Sequence, residues 1–151
     1  MNTRVSYIEI DKSTCMLAGY ADETKRDVPA GPWPCTVGRN PDGADKQAVG
    51  DCRTPEGPHL LVSIEDSAEW RDDNGVLAYG PWLLRLKGLT ERNSQWVGIG
   101  IHGHAEGAEG LLGRKGSYGC IRIANANLTR LKELVVAGET RVMILPDTPG
   151  D

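Results

Sequence analysis

Phenylalanine is absent from this chain of 151 residues, which leaves four tryptophans and four tyrosines as its only aromatic side chains, an unusual palette for a core that points to no function by itself. Basic charge is also short. Seventeen Lys and Arg against 21 Asp and Glu give a formal net charge of -4, and the charge runs are brief and mixed in sign, which excludes the cationic footprint that a nucleic-acid partner requires. No apolar stretch approaches the roughly 18 residues that a membrane-spanning helix needs. The start, "MNTRVSYIEI", lacks the charged, apolar and small-residue zones of a signal peptide, so the chain is expected either to work in the cytosol or to have lost a targeting segment. The four cysteines, Cys15, Cys35, Cys52 and Cys120, form no CxxC pair, and no metal or other cofactor is expected.

What is present favours one β-rich domain spanning 1–151, a length that buries a single sizeable core. Nineteen glycines and short strand-like runs call for many turns. "VSYIEI" and "CMLAGY" read as a hairpin turned by "DKST". Residues 34–57, "PCTVGRNPDGADKQAVGDCRTPEG", read as a long connection with turns at Asn-Pro, Asp-Gly and Pro-Glu-Gly. Strands follow at "HLLVSI", "WLLRLK" and "WVGIGIHG", with "RDDNG" as a loop. "NANLTRLKELVVAG" predicts a helix with Leu128, Leu131, Leu134 and Val135 on one face, capped by Asn125 or Asn127 and ended by Gly138. "TRVMIL" closes the domain as a strand before a proline-containing tail.

The chemistry concentrates in "RKGSYGCIRI", residues 114–123. A thiol with a pKa near ~8.5 is only a few per cent thiolate at neutral pH, so a nucleophilic Cys120 needs a base. The chain holds three histidines, His59, His102 and His104. His102 ends a strand-like run where glycine-rich sequence begins, a position at once held and exposed. The glycine-rich segment between His102 and Cys120 is long enough to bring them together. "HGH" alone offers a weak metal pair, and His104 reads instead as a loop or substrate-contact residue. Trp82 and Tyr79 read as core aromatics, Arg53 and Arg85 as surface charges, and "RTPEG" as a structural turn beside the cleft.

"IHG" followed by "SYGCIRI" resembles the signature of the L,D-transpeptidase catalytic domain, the YkuD-like family, in which a His-Gly pair precedes Ser/Thr-His-Gly-Cys with Arg or Asn two residues beyond. "VGRN", "GDCRTPEG", "YGPWLLRL" and "GETRVMIL" extend the resemblance over most of the chain. It implies a mainly β domain, a mixed sandwich or barrel-like sheet with one helix near the C-terminus. It also implies Cys120 as nucleophile, His102 as base and the Gly103 carbonyl as orienter of the imidazole. Gly119 and Cys120 would supply oxyanion donors, while Ser117, Tyr118 and Arg122 would support the site or bind substrate. Tyr118 departs from the pattern, standing where most members carry a second histidine; a phenol can hydrogen-bond but supplies no cation at neutral pH.

The activity so implied is acyl transfer on peptidoglycan tetrapeptide stems through a thioester, forming 3-3 cross-links or exchanging the terminal D-amino acid. A hydrolase on the same stems and a wall-binding module weakened at Tyr118 are the alternatives. Either way the partner is the stem peptide, a membrane enters only through an anchor absent from this chain, and the site of action is extracytoplasmic.

Overall fold

The computed structural model describes residues 4–39, 42–108, 110 and 112–147. The expected Asn40–Pro41 turn and the tail from 148 onward lie outside the described residues. Nine strands are present among those described: β1 Tyr7–Asp11, β2 Met16–Tyr20, β3 Ala30–Gly38, β4 Gly57–Asp66, β5 Trp82–Gly88, β6 Gly100–His102, β7 Lys115–Ser117, β8 Ile121–Ile123 and β9 Arg141–Leu145. One helix, α1 Asn125–Leu134, and a 3-10 turn at Asn93–Gln95 complete the elements. The sheet runs β2-β1-β9-β4-β5-β6-β8-β3-β7, and β2 also pairs with β3, so the ladder closes into a barrel with β7 appended outside. Closure leaves the ring without a free edge.

The expected hairpin is β1 and β2, in register from Tyr7 with Tyr20 to Asp11 with Met16. Residues 34–38 are not connection but the second half of β3. Pro32 and Pro34, which remove ladder donors, hid this strand from a propensity reading. β7, three residues long, also went unrecognised. The 96–103 run contracts to β6, because the ladder with β5 starts only at Gly100 opposite Arg85. The helix is shorter than predicted. Val135 is already extended (φ -86°, ψ 159°), and Gly138 sits instead in a separate turn, closed by the Glu139 and Thr140 N–H groups on Val136 O, and donates its own N–H across to Leu61 O. Neither asparagine caps it; the N-cap residue is Ala124, without a side-chain bond.

The interior is aliphatic, as a chain without Phe requires. Ile8, Ile10, Leu17, Leu61, Leu84, Ile101, Ile121, Ile123 and Ile144 are fully buried, with Trp33, Trp82 and Trp96 packed around them. Leu128, Leu131 and Leu134 are the buried face of α1, so hydrophobic packing holds this helix to the barrel.

Candidate active site

β6 and β8 run side by side and parallel, with Ile101 opposite Ile121 and His102 opposite Arg122. Side chains alternate along a strand. Ile101, Ile121 and Ile123 are buried in the core, which turns His102 and Arg122 to the other face. Cys120, two residues before Arg122, shares that face, and all three line one cleft. Two short strands thus bring together what the chain separates by the glycine-rich segment.

His102 is nearly buried. Its Nδ1 lies 2.7 Å from the Gly103 carbonyl oxygen. A carbonyl only accepts, so Nδ1 carries the proton and Nε2 is the basic nitrogen. Burial pushes the imidazole pKa down to about 4; the Gly103 bond opposes this, and the Arg122 and His104 charges add to it. The edge of the Tyr79 ring packs on the imidazole at 5.2 Å between centroids, and the Tyr79 carbonyl accepts the Gly103 N–H at 2.8 Å. Gly103 has no room to be larger, since a Cβ there would come within 1.9 Å of Asn125 Oδ1.

The depressed pKa makes stability depend on pH. Unfolded, the imidazole titrates near 6.5, and folded near 4, so acid protonates the unfolded chain first. Its contribution is complete above about pH 6.5 and is lost progressively toward pH 4, on the order of 3 kcal/mol in all. His59, lowered mainly by burial, acts in the same direction. The Tm is expected to fall between about pH 7 and pH 4.5, with a shallower fall in His102→Gln; equal slopes in the two proteins would contradict the assignment.

Cys120 is half-buried at the mouth of the cleft. Its Sγ donates to the Gly98 carbonyl at 3.3 Å. Burial pushes the thiol pKa up, against the Gly100 N–H bond and the charges of Arg122 and Arg85. The resting pair is therefore thiol and neutral imidazole rather than thiolate and imidazolium. Ser117 is buried and shapes the turn: its hydroxyl donates to Cys120 O at 2.6 Å and accepts the Gly119 N–H at 3.1 Å. The Gly119 N–H, expected as an oxyanion donor, is committed to Ser117 in this geometry. Tyr118 projects outward, 76% exposed, with the Arg39 guanidinium 5.2 Å over its ring.

His104 lies in the loop after β6, with its ring turned to the start of α1. Its Nδ1 lies 2.7 Å from Ala105 O, and its Nε2 accepts the Asn125 N–H at 3.1 Å. Asn125 returns two bonds to the His104 backbone. The ring thus takes a first-turn donor of α1, the service expected of an asparagine. Among the described residues no group of three or more His, Cys, Asp or Glu could hold a metal.

Two clefts meet at Cys120. One, of about 370 Å3, is walled by Lys46, Trp96, His102, Tyr118 and Arg122 among others. The second, of about 500 Å3, is formed by Trp70, Arg71, Tyr79, Leu83, Arg85 and Gly98. Arg85, read as a surface charge, is paired with Glu65 at 2.6 Å and shares the second cleft with Cys120. Lys46 was overlooked; it is buried, paired with Asp51 at 2.8 Å, and sits over the Trp96 ring. Only two buried side-chain nitrogens among the described residues lack a partner, Arg122 Nε and Trp96 Nε1, and both belong to the first cleft.

The fold is shared with solved structures. The helical cell shape determining protein Pgp2 from Campylobacter jejuni superposes with a TM-score of 0.72 at 22% identity, over 96% of this chain and 49% of that one. An L,D-transpeptidase from Mycobacterium smegmatis gives 0.62 at 18%, over 91% and 57%. L,D-transpeptidase 3 from Mycobacterium tuberculosis, in complex with a faropenem-derived adduct, gives 0.61 at 17%, over 92% and 59%. The chain spans about half the length of such structures. No curated protein matches it. The model of the L,D-transpeptidase catalytic domain, YkuD, matches residues 5–144, and the chain belongs to that family.

Proposed function

We propose that residues 1–151 form one catalytic domain, a cysteine-dependent L,D-transpeptidase that acts outside the cytoplasm on peptidoglycan tetrapeptide stems. The observation that carries this reading is the grouping of Cys120, His102 and Arg122 on one face of two paired strands, where two clefts converge. His102 Nε2 takes the thiol proton as sulfur attacks the carbonyl of the third stem residue. The Cys120 N–H faces the developing oxyanion. Collapse expels the terminal D-amino acid, whose nitrogen receives the proton from His102, and leaves a thioester on Cys120. An amine in the other cleft then attacks the thioester, giving up its proton to His102 as the thiol is restored.

Charge fits the substrate. The protein carries a net charge of -4, yet Arg71 and Arg122, with the ion-paired Lys46 and Arg85, line the two clefts against one acid, Asp72. The unpartnered Arg122 Nε suits the carboxylate of the departing residue, and a buried donor left single costs about 1–3 kcal/mol that such a ligand recovers. Two separate approaches to one sulfur favour transfer between donor and acceptor over plain hydrolysis.

The test is the product profile on purified tetrapeptide-rich muropeptides, with and without an added D-amino acid. Cross-linked dimers or exchanged termini are expected. Tripeptide alone would make the enzyme an L,D-carboxypeptidase, and unchanged substrate would remove the catalytic reading in favour of a binding module.

A further inference from the structure

Behind the nucleophile turn lies a buried polar chain that the mechanism has not used. Lys12, in the turn between β1 and β2, is fully buried. Its Nζ donates to the Thr54 carbonyl at 2.9 Å and to Glu56 Oε2 at 2.8 Å. Thr54, also fully buried, lies in "RTPEG" and touches two other segments through one hydroxyl. Its Oγ1 accepts the Gly38 N–H at 2.8 Å and donates to the Gly119 carbonyl at 2.7 Å. Neither partner can reverse its role, so the hydroxyl's polarity is set from both sides.

The bond to Gly119 matters because a peptide unit is planar and trans. The Gly119 carbonyl and the Cys120 N–H belong to one such plane and point in opposite directions. Holding the carbonyl oxygen against Thr54 therefore aims the Cys120 N–H away from Thr54. Gly119 could otherwise reorient with ease: its φ of +132° is one that glycine tolerates and other residues rarely adopt. Space is also closed behind it, since a Cβ on Gly119 would lie 3.2 Å from Arg53 O.

We infer that Thr54, backed by the Lys12–Glu56 pair, is a positioning residue that aims the Cys120 N–H at the oxyanion, an inference that rests on the transpeptidase reading. Thr54 touches no substrate. It acts by denying the Gly119–Cys120 peptide a second orientation, in which the one N–H left to meet the oxyanion would turn aside.

The test compares two reactions of Cys120 in the purified protein. Acylation by a carbapenem passes through an oxyanion; alkylation by iodoacetamide does not. In Thr54→Val acylation should slow about a hundredfold, the scale on which losing an oxyanion donor is felt, while alkylation stays within about twofold. Thr54→Ser should restore acylation, and Lys12→Met should slow it by a smaller factor. Parallel loss of both reactions, or of neither, would overturn the inference. A wild type that forms no acyl adduct would sink the transpeptidase reading alone. The Gly119 carbonyl 13C shift then decides the anchor: it should move in Thr54→Val and return in Thr54→Ser, and an unmoved shift would overturn the role of Thr54.

Discussion

Turnover of tetrapeptide stems falls to background in Cys120→Ala, the largest effect expected of any single substitution. No other nucleophile stands in for the sulfur. The Ser117 hydroxyl is occupied on both sides, donating to Cys120 O and accepting from Gly119 N. Cys52 sits in the connection before β4 with its thiol on the Gly50 carbonyl. Cys15 and Cys35 are buried, and burial pushes both thiols up, Cys35 to about 12. The fold should persist, because the thiol's bonds, to Gly98 O at 3.3 Å and from the Gly100 N–H, both lie at the mouth of the cleft rather than in the core. Cys120→Ser should fare little better, since a hydroxyl is far harder to ionise than a thiol and a single imidazole with a pKa of about 4 is a weak base for it. Stem turnover retained in Cys120→Ala, measured by chromatography of muropeptides, would move the chemistry elsewhere.

His102→Gln should lower the acylation rate about a thousandfold, within the usual range for a general base. The resting protonation states require such a base. The raised thiol and the depressed imidazole leave both groups neutral at pH 7, so the thiolate must be made during attack rather than held in reserve. Glutamine preserves polarity but cannot take the proton. In the wild type the acid limb of acylation should lie near pH 4, where His102 becomes charged, and not near 6.5 as for an ordinary imidazole. A limb near 6.5, or a limb unchanged in His102→Gln, would mean that another group serves as base. His104→Gln, by contrast, should mainly lower stability, through the cap on α1.

The parts of this site that could be read in the chain are those whose signal is local. The hairpin, the leucine face of α1 and the strand end at His102 each follow from a short periodicity meeting a turn. Three features resisted for physical reasons. β3 carries two prolines and divides its pairing among three strands, the preceding β2 and the distant β7 and β8. His104, read as a loop or substrate-contact residue, has a ring that serves Asn125, 21 positions away, and no local pattern marks that bond. Thr54 meets the nucleophile turn at a separation of 65 positions, and nothing in "RTPEG" announces that its hydroxyl will span Gly38 and Gly119. Of the two N–H groups that the resemblance offers to an oxyanion, that of Gly119 is taken by Ser117, a bond within the turn that residue types alone do not mark.

The central claim is that Cys120 is an acylated nucleophile, and intact-protein mass spectrometry with a carbapenem tests it most directly. The account predicts one adduct per chain, carried by the tryptic peptide 116–122 and lost in Cys120→Ala. No adduct at any pH, or an adduct that survives in Cys120→Ala, would contradict it.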